Sequence, residues 1–168
     1  MRFFLGTGEQ FREKLQSFPE YFANVFSSSP ILVVARDDRN VAAACCITSL
    51  SNSVIMYVKK LYRRKGLGTQ LEWTTICQAR KQGRNFVIGV LLLANVPALR
   101  IVYKLGYREI VRIGGYEYII MMIPFNLKGE ILYTVLRKLF LLLSFILPEI
   151  FLAHAVKLLM DAVERAHG

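Results

Sequence analysis

Histidine is nearly absent from this chain. Its two histidines, His154 and His167, both fall in the last fifteen of 168 residues. A catalytic histidine in the body of the chain is therefore excluded, as are a Cys–His pair and a Ser–His–Asp triad. This absence removes most hydrolase mechanisms. We also expect no metal site, because no cluster of ligands accompanies the two histidines.

Cysteine is scarce as well, with three residues in the whole sequence. Cys45 and Cys46 are neighbours, so in a strand their side chains would point to opposite faces, and Cys77 stands alone. No pair has the spacing of a metal or redox motif. The apolar run from Met1 to Leu5 is too short for a signal peptide. These features predict a reducing, cytoplasmic location.

Acidic residues are few: 12 Asp and Glu face 22 Lys and Arg, which gives a formal charge of +10. The basic residues outside positions 59–65, such as Arg80 and Arg108, are scattered and form no recognised nucleic-acid motif. Nucleic acid is therefore not the predicted partner. Hydrophobic residues make up 54% of the chain, which is enough for a packed core and excludes a disordered chain.

The hydrophobic pattern alternates between the periods of strand and helix, which predicts a mixed α/β fold. Apolar residues recur every three or four positions from Glu9 to Phe26, where Pro19 kinks or splits the helix. Helices are also predicted at 66–81 and 96–105, and Gly114-Gly115 is typical of a tight hairpin turn. Strands are predicted at 1–5, 31–35, 41–47, 53–58, 85–93, 107–113 and 116–123.

A basic loop with two glycines joins a strand to a helix. It contains five cations between Lys59 and Lys65, followed by Gly66-Leu67-Gly68-Thr69. Glycines let the backbone approach a bulky anion, and the free N–H groups and dipole of the new helix face that anion. The loop therefore predicts a phosphate site, and a diphosphate suits it better than a single carboxylate. A solvated surface turn is the alternative on this spacing alone.

A second block follows at a fixed distance, and it contains Asn95, Ala98, Gly106 and Tyr107. Together the two blocks resemble the GNAT superfamily of acyl-coenzyme A dependent N-acetyltransferases. The superfamily's pattern Gln/Arg-x-x-Gly-x-Gly/Ala stands here at Arg63, Gly66 and Gly68, and its later pattern Asn-x-x-Ala followed by Gly-Phe or Gly-Tyr is also met. The resemblance covers about residues 1–125.

The resemblance implies a strongly twisted mixed β-sheet flanked by helices, with acetyl-CoA or another acyl-CoA as cofactor. It implies that the arm of the cofactor lies between the fourth and fifth strands, near backbone groups of Met56 and Val58, with Asn95 beside it. It also implies a pyrophosphate held by backbone amides and assisted by side chains of Arg63, Lys65 and Thr69. The implied amides are those of Arg64, Lys65, Gly66, Leu67, Gly68 and Thr69.

The candidate catalytic groups are Glu117 and Tyr103. The family frequently uses a carboxylate of its fourth or fifth strand as the base, but residues 53–58 and 85–93 contain no Asp or Glu. Glu117 is the acidic residue nearest the usual acceptor side, and an exposed strand residue is the alternative. The family's tyrosine acid stands four residues before the glycine, where this chain has Val102. Tyr103 is one step later, and a role in packing onto the sheet is equally compatible with the pattern.

The last forty residues are more apolar than the rest of the chain. We place a domain boundary so that residues 1–127 form the GNAT domain and residues 128–168 a hydrophobic helical extension. The extension is predicted as a helix at 128–147, a break at Pro148 and an amphipathic helix at 149–166. Residues 129–166 are expected to pack on the enzyme, on a second copy in a homo-oligomer or on a partner protein, and a membrane surface is the alternative.

The sequence thus predicts an acyl-CoA-dependent N-acyltransferase, most simply one that transfers acetyl to a primary amine by direct attack. The amine would belong to a protein, a peptide or a small molecule. The competing hypothesis is a catalytically degenerate module with the same fold that binds an acyl-CoA or a protein. Its association with a membrane through residues 128–168 is part of that hypothesis.

Overall fold

The computed structural model describes residues 1–37, 40–49, 52–113 and 117–146. Two compact units, residues 1–84 and 85–168, make up the chain. The strands in the described ranges are β1 (Arg2–Gly6), β2 (Ile31–Asp37), β3 (Asn40–Ile47), β4 (Val54–Val58), β5 (Phe86–Leu92), β6 (Arg108–Ile113) and β7 (Tyr118–Pro124). The helices are α1 (Gly8–Leu15), α2 (Glu20–Ser27), α3 (Leu67–Lys81), α4 (Val96–Lys104) and α5 (Leu127–Ile146), with a 3-10 turn at Lys60–Tyr62.

The first unit is a four-stranded antiparallel sheet in the order β1-β2-β3-β4, covered on both faces. The side chains of β2 and β3 are buried throughout residues 31–35 and 41–47 because helices lie on each side. Leu32 and Cys46 pack with α1 and α2, whereas Val33 and Cys45 pack with α3. The predicted α/β class is confirmed.

Pro19 divides the helical segment near the amino terminus, as the sequence predicted. α1 ends at Leu15, and α2 begins at Glu20 with Pro19 as its N-cap. Phe18 lies in the connection and packs edge-on against Phe26, with ring centroids 5.7 Å apart. The break therefore places Phe18 of the connection against Phe26 of α2.

The second unit is a three-stranded antiparallel sheet in the order β5-β7-β6. α5 covers one face, where Tyr133 and Phe140 are buried against Val111, Ile120 and Met122. The predicted helix at 128–147 is thus observed as α5, which completes the core of this unit. The boundary between residues 127 and 128 stays a prediction.

Several predicted features lie outside the described residues. They are the turn at Gly114-Gly115 and the helix at 149–166. Among the described residues, none of the helices is long and apolar enough to cross a membrane.

Two adjacent buried thiols make the first unit sensitive to alkali. Burial raises the pKa of Cys46 from 9.0 to about 11, and burial together with the nearby Glu72 raises the pKa of Cys45 well above 9.0. Between these values the unfolded thiol loses its proton while the folded thiol keeps it. The free energy of unfolding therefore falls as the pH rises from about 9 to about 11.

For Cys46 alone, the expected loss is about 2–3 kcal/mol across that interval. Urea unfolding at a series of pH values measures it. Cys46→Ala is the control, because it removes this titration and should flatten the pH dependence by that amount. An identical pH dependence in the variant and the parent protein would contradict the assignment.

Candidate functional site

The connection from β4 to α3 ends in an uncapped helix amino terminus. α3 begins after Gly66, and no described side chain caps it there. The first backbone bond that closes onto this turn runs from the N–H of Gln70 to the carbonyl of Gly66, at 3.2 Å. The N–H groups of Leu67, Gly68 and Thr69 precede it and have no carbonyl four residues earlier within the helix. Three donors and the positive end of the helix dipole thus converge at the basic loop.

The backbone of this loop adopts the left-handed conformation twice. Gly66 has φ +74°, and Arg64, which is not glycine, has φ +60°. Such a conformation costs a non-glycine residue on the order of 1–3 kcal/mol and recurs at ligand-binding sites. A Cβ atom built on Gly66 would meet nothing within 4 Å, so the space in front of the helix is open. The loop is therefore shaped for a group that approaches its backbone closely.

Arg63 is held in place at the loop. Its Nε donates to the carbonyl of Val58 at 2.9 Å, and its guanidinium lies 5.9 Å from the ring centroid of Tyr57. Lys65 lies 5.7 Å from the ring centroid of Tyr62. These contacts orient two cations near the amino terminus of α3 while both side chains stay exposed.

Lys59 has a different environment from the other cations of the loop. Its Nζ donates to the hydroxyl of Ser17 at 2.9 Å and lies 5.0 Å from the ring centroid of Phe18. Partial burial lowers the pKa of Lys59. This lysine ties the end of β4 to the connection between α1 and α2, so four of the five cations are left for an anion.

The outer edge of β4 offers backbone groups at the predicted positions. The N–H of Lys59 donates to Ala42 of β3, and the carbonyl of Ser53 accepts from Thr48, both at 3.0 Å. Because hydrogen-bonding direction alternates along a strand, Met56 and Val58 direct their N–H and C=O groups away from β3. β4 is the last strand of its sheet. The carbonyl of Val58 already accepts the hydrogen bond from Arg63, so the outward groups left without a partner within the described sheet are the N–H of Val58 and the N–H and carbonyl of Met56. The resemblance implies that such groups face the arm of the cofactor.

In the second unit, Asn95 begins α4. Its Oδ1 accepts the N–H of Ala98 at 3.3 Å and so caps the helix. The N–H of Leu93, just after β5, donates to the carbonyl of Glu117 at 2.8 Å. The exposed Glu117 therefore lies at the carboxyl end of β5, beside Leu93, which precedes Asn95 by two residues.

Tyr103 is half-exposed on α4. Its side chain is 51% exposed, whereas the neighbouring Val102 is buried. Arg112 of β6 lies beside it: hydrogen bonds and charge from Glu109 raise the pKa of Arg112, and Tyr103 adds to the same effect. Glu109 and Arg112 form a bidentate pair at 2.9 and 3.0 Å.

This pair could not be predicted from the sequence, because a bulge in β6 between residues 109 and 111 brings the two side chains together. Tyr103, Arg112 and Glu109 thus form an exposed polar cluster in the second unit, of which the sequence predicted only the tyrosine.

Glu72 is buried in α3, where it lies close enough to Cys45 to raise the pKa of that thiol. Thr75, one turn later, is also buried and hydrogen-bonds to Cys45. These contacts face the interior of the first unit.

Known proteins share these features. A family model for the acetyltransferase (GNAT) domain matches residues 27–109, a range that contains the β4–α3 loop, Asn95 and Tyr107. The matched residues form a GNAT acetyltransferase domain. A search of curated proteins by sequence gives no match.

Solved structures agree in fold with this GNAT protein. The ribosomal-protein-S18-alanine N-acetyltransferase from Escherichia coli has 18% identity and a TM-score of 0.54, with 73% of this chain and 94% of that chain covered. An acetyltransferase from Bacillus subtilis, solved with CoA, has 16% identity and a TM-score of 0.54, covering 74% and 99%.

YncA from Salmonella typhimurium, solved with acetyl-CoA, has 17% identity and a TM-score of 0.52. The match covers 58% of this chain and 65% of that one, so this chain spans just under two thirds of YncA. At these identities, the likeness establishes the fold that the GNAT protein shares with each of the three.

Proposed function

We propose that this GNAT protein transfers an acetyl group from acetyl-CoA to a primary amine by direct attack of the amine on the thioester. The observation that carries the proposal is the uncapped amino terminus of α3 behind the left-handed Gly66. The family match gives only the superfamily and its class of activity. The cofactor, the direct attack and the residue roles are what we propose here.

The loop suits a pyrophosphate in geometry and in charge. Each backbone amide that donates to a charged oxygen contributes on the order of 1.5–3 kcal/mol, and the helix terminus adds roughly 0.3–1 kcal/mol. The open space at Gly66 admits the phosphates, and the exposed Arg64 and Lys65 supply positive charge. YncA and the Bacillus subtilis protein were solved with acetyl-CoA and CoA, which supports the same choice here.

The other proposed site residues bind the arm of the cofactor or transfer protons. Bound acetyl-CoA supplies a thioester carbonyl that accepts the amine nitrogen and releases a thiol. By the resemblance, outward backbone groups of Met56 and Val58 would orient the arm and the carbonyl, with Asn95 beside the arm. Glu117 takes the proton of the amine, directly or through a water, and the hydroxyl of Tyr103 donates a proton to the departing sulfur.

A carboxylate base on a loop rather than on β4 or β5 is compatible with turnover. Acid or base assistance contributes ~10²–10⁴-fold, while holding two reactants together contributes ~7–11 kcal/mol. Binding and orientation by the β4–α3 loop therefore supply the larger share of the rate. The acceptor is expected to be an amine that reaches the exposed carboxylate of Glu117.

The test is a thiol-release assay with acetyl-CoA and a panel of amines that contains protein amino termini, lysine peptides, polyamines and aminoglycosides. Release of CoA that depends on one class of amine, together with acetylated product by mass spectrometry, is the expected result. Absence of acetylated product from every amine, with tight binding of acetyl-CoA, would overturn the catalytic part of the proposal.

That second outcome is the expected result for a degenerate acyl-CoA-binding module, the competing function. One observation favours it: Val102 occupies the position of the family's tyrosine acid, and its side chain is buried in the second unit. A tyrosine at position 102 could not expose its hydroxyl to solvent unless the core of the second unit repacked. The same assay separates the two functions, because binding is common to both and product formation is not.

A further inference from the structure

α5 carries a second apolar surface in addition to the one that covers the sheet. Leu127, Ile131, Val135, Leu139 and Leu142 follow one another at steps of three or four residues, and we call them the outer stripe. Their side chains are between 46% and 75% exposed. Steps of three and four keep side chains on one side of a helix, so the five form a continuous strip along the helix.

The outer stripe lies on the side of α5 opposite to its buried residues. Tyr133 and Phe140, which pack against β6 and β7, are six residues after Leu127 and two before Leu142, so they fall on the other half of the helix. The polar side chains of Glu130, Thr134 and Arg137 occupy a separate strip. The exposed Lys128 and Lys138 lie on the same side of the helix as the outer stripe, beside its aliphatic side chains. A helix that is apolar on two sides needs a second cover, because exposed aliphatic patches of this kind mark interaction surfaces.

The chain itself contains a segment of matching length and pattern. Residues 147–168 follow α5 directly, and within them Phe151, Ala155, Leu158, Leu159 and Ala162 recur at helical spacing. Lys157, Asp161 and Glu164 fall on the other side, whereas Arg165 is seven residues after Leu158 and lies at the edge of the apolar side. A helix over residues 149–166 would be about 27 Å long, and the outer stripe extends over about 22 Å.

We propose that residues 149–166 form an amphipathic helix that packs antiparallel on the outer stripe of α5. Leu147 and Pro148 form the connection, and proline suits the first turn of the second helix. Links of two to five residues join antiparallel helices. A short link gives the segment an effective concentration in the millimolar range, so it outcompetes a second copy present at micromolar concentration. This proposal does not rest on acetyl transfer.

Engineered cysteine pairs in the full chain test the packing and its direction. Val135→Cys combined with Leu159→Cys places one thiol on the outer stripe and the other on the apolar side of the tail, at distances from the connection that differ by one residue. Val135→Cys combined with Asp161→Cys is the matched control, since it shares the register and places the second thiol on the polar side. Both are made with Cys77→Ser, because Cys77 is only half-buried, whereas Cys45 and Cys46 are buried.

Mild oxidation followed by mass spectrometry of tryptic fragments gives the readout. The expected result is a disulfide within one chain that forms at least tenfold faster for the Leu159 pair than for the Asp161 pair. Equal rates would overturn the proposal, since they indicate a tail that is not packed on one side. Disulfides between two chains would assign the stripe to a second copy, and no disulfide, with or without binding to phosphatidylglycerol vesicles, would also overturn it.

Discussion

Replacement of Gly66 by valine is expected to weaken the binding of coenzyme A by ~10²–10⁴-fold. The side chain would project from the loop into the open space in front of α3. A pyrophosphate kept away from this turn loses at least two amide hydrogen bonds, each of which contributes on the order of 1.5–3 kcal/mol. Isothermal titration calorimetry with coenzyme A measures the loss directly.

Gly83 provides a control with the same backbone strain. Both glycines have φ +74°, and neither would bring a Cβ atom within 4 Å of another group. Gly83 follows the carboxyl end of α3, far along the helix from the loop. Gly66→Val and Gly83→Val should therefore lose similar stability, about 1–3 kcal/mol, while only the first loses affinity. If the two variants had equal affinities for coenzyme A, the loop would not be part of the binding site.

Removal of the hydroxyl of Tyr103 is expected to lower kcat by ~10²-fold or more without changing the affinity for coenzyme A. The expected loss follows from the size of general acid catalysis. The exposed phenol beside Arg112 makes no core contact that Tyr103→Phe would disturb. Steady-state kinetics with the amine found in the thiol-release assay give kcat, and calorimetry gives the affinity.

Tyr21→Phe is the matched control, because this tyrosine of α2 is also exposed and has no assigned role. Glu117→Gln should lower kcat by a similar factor if the carboxylate accepts the amine proton, again with unchanged affinity. If Tyr103→Phe and Tyr21→Phe had equal kcat values, the hydroxyl of Tyr103 would not be the proton donor. Water would then protonate the thiolate.

Much of the fold could be predicted from local pattern. The hydrophobic pattern identified β1 to β7 and α3 to α5 to within a few residues. It could do so because apolar residues recur with the period of the helix or strand that buries them. Pro19 marked the break between α1 and α2, since proline interrupts helical hydrogen bonding. The Gly-x-Gly loop was predicted at the amino terminus of α3, where the structure has it.

The environment of individual polar groups could not be predicted in this way. Glu109 had no distinguishing context in the sequence, and its pairing with Arg112 depends on a bulge that shifts the register of β6. Lys59 looked like one more cation of the loop, but it hydrogen-bonds to Ser17, 42 residues earlier. Tyr103 could be a catalytic acid or a packing residue by sequence, and only the structure shows that it is half-exposed while Val102 is buried.

The sequence by itself determined the order of the elements, the anion-binding loop and the superfamily, because these depend on residue types at short, fixed spacings. Only the tertiary structure decided which cations of the loop are free, which edge of β4 presents Met56 and Val58, and that α5 has a second apolar side left exposed. These properties depend on contacts between residues distant in the chain, and no local spacing encodes such contacts.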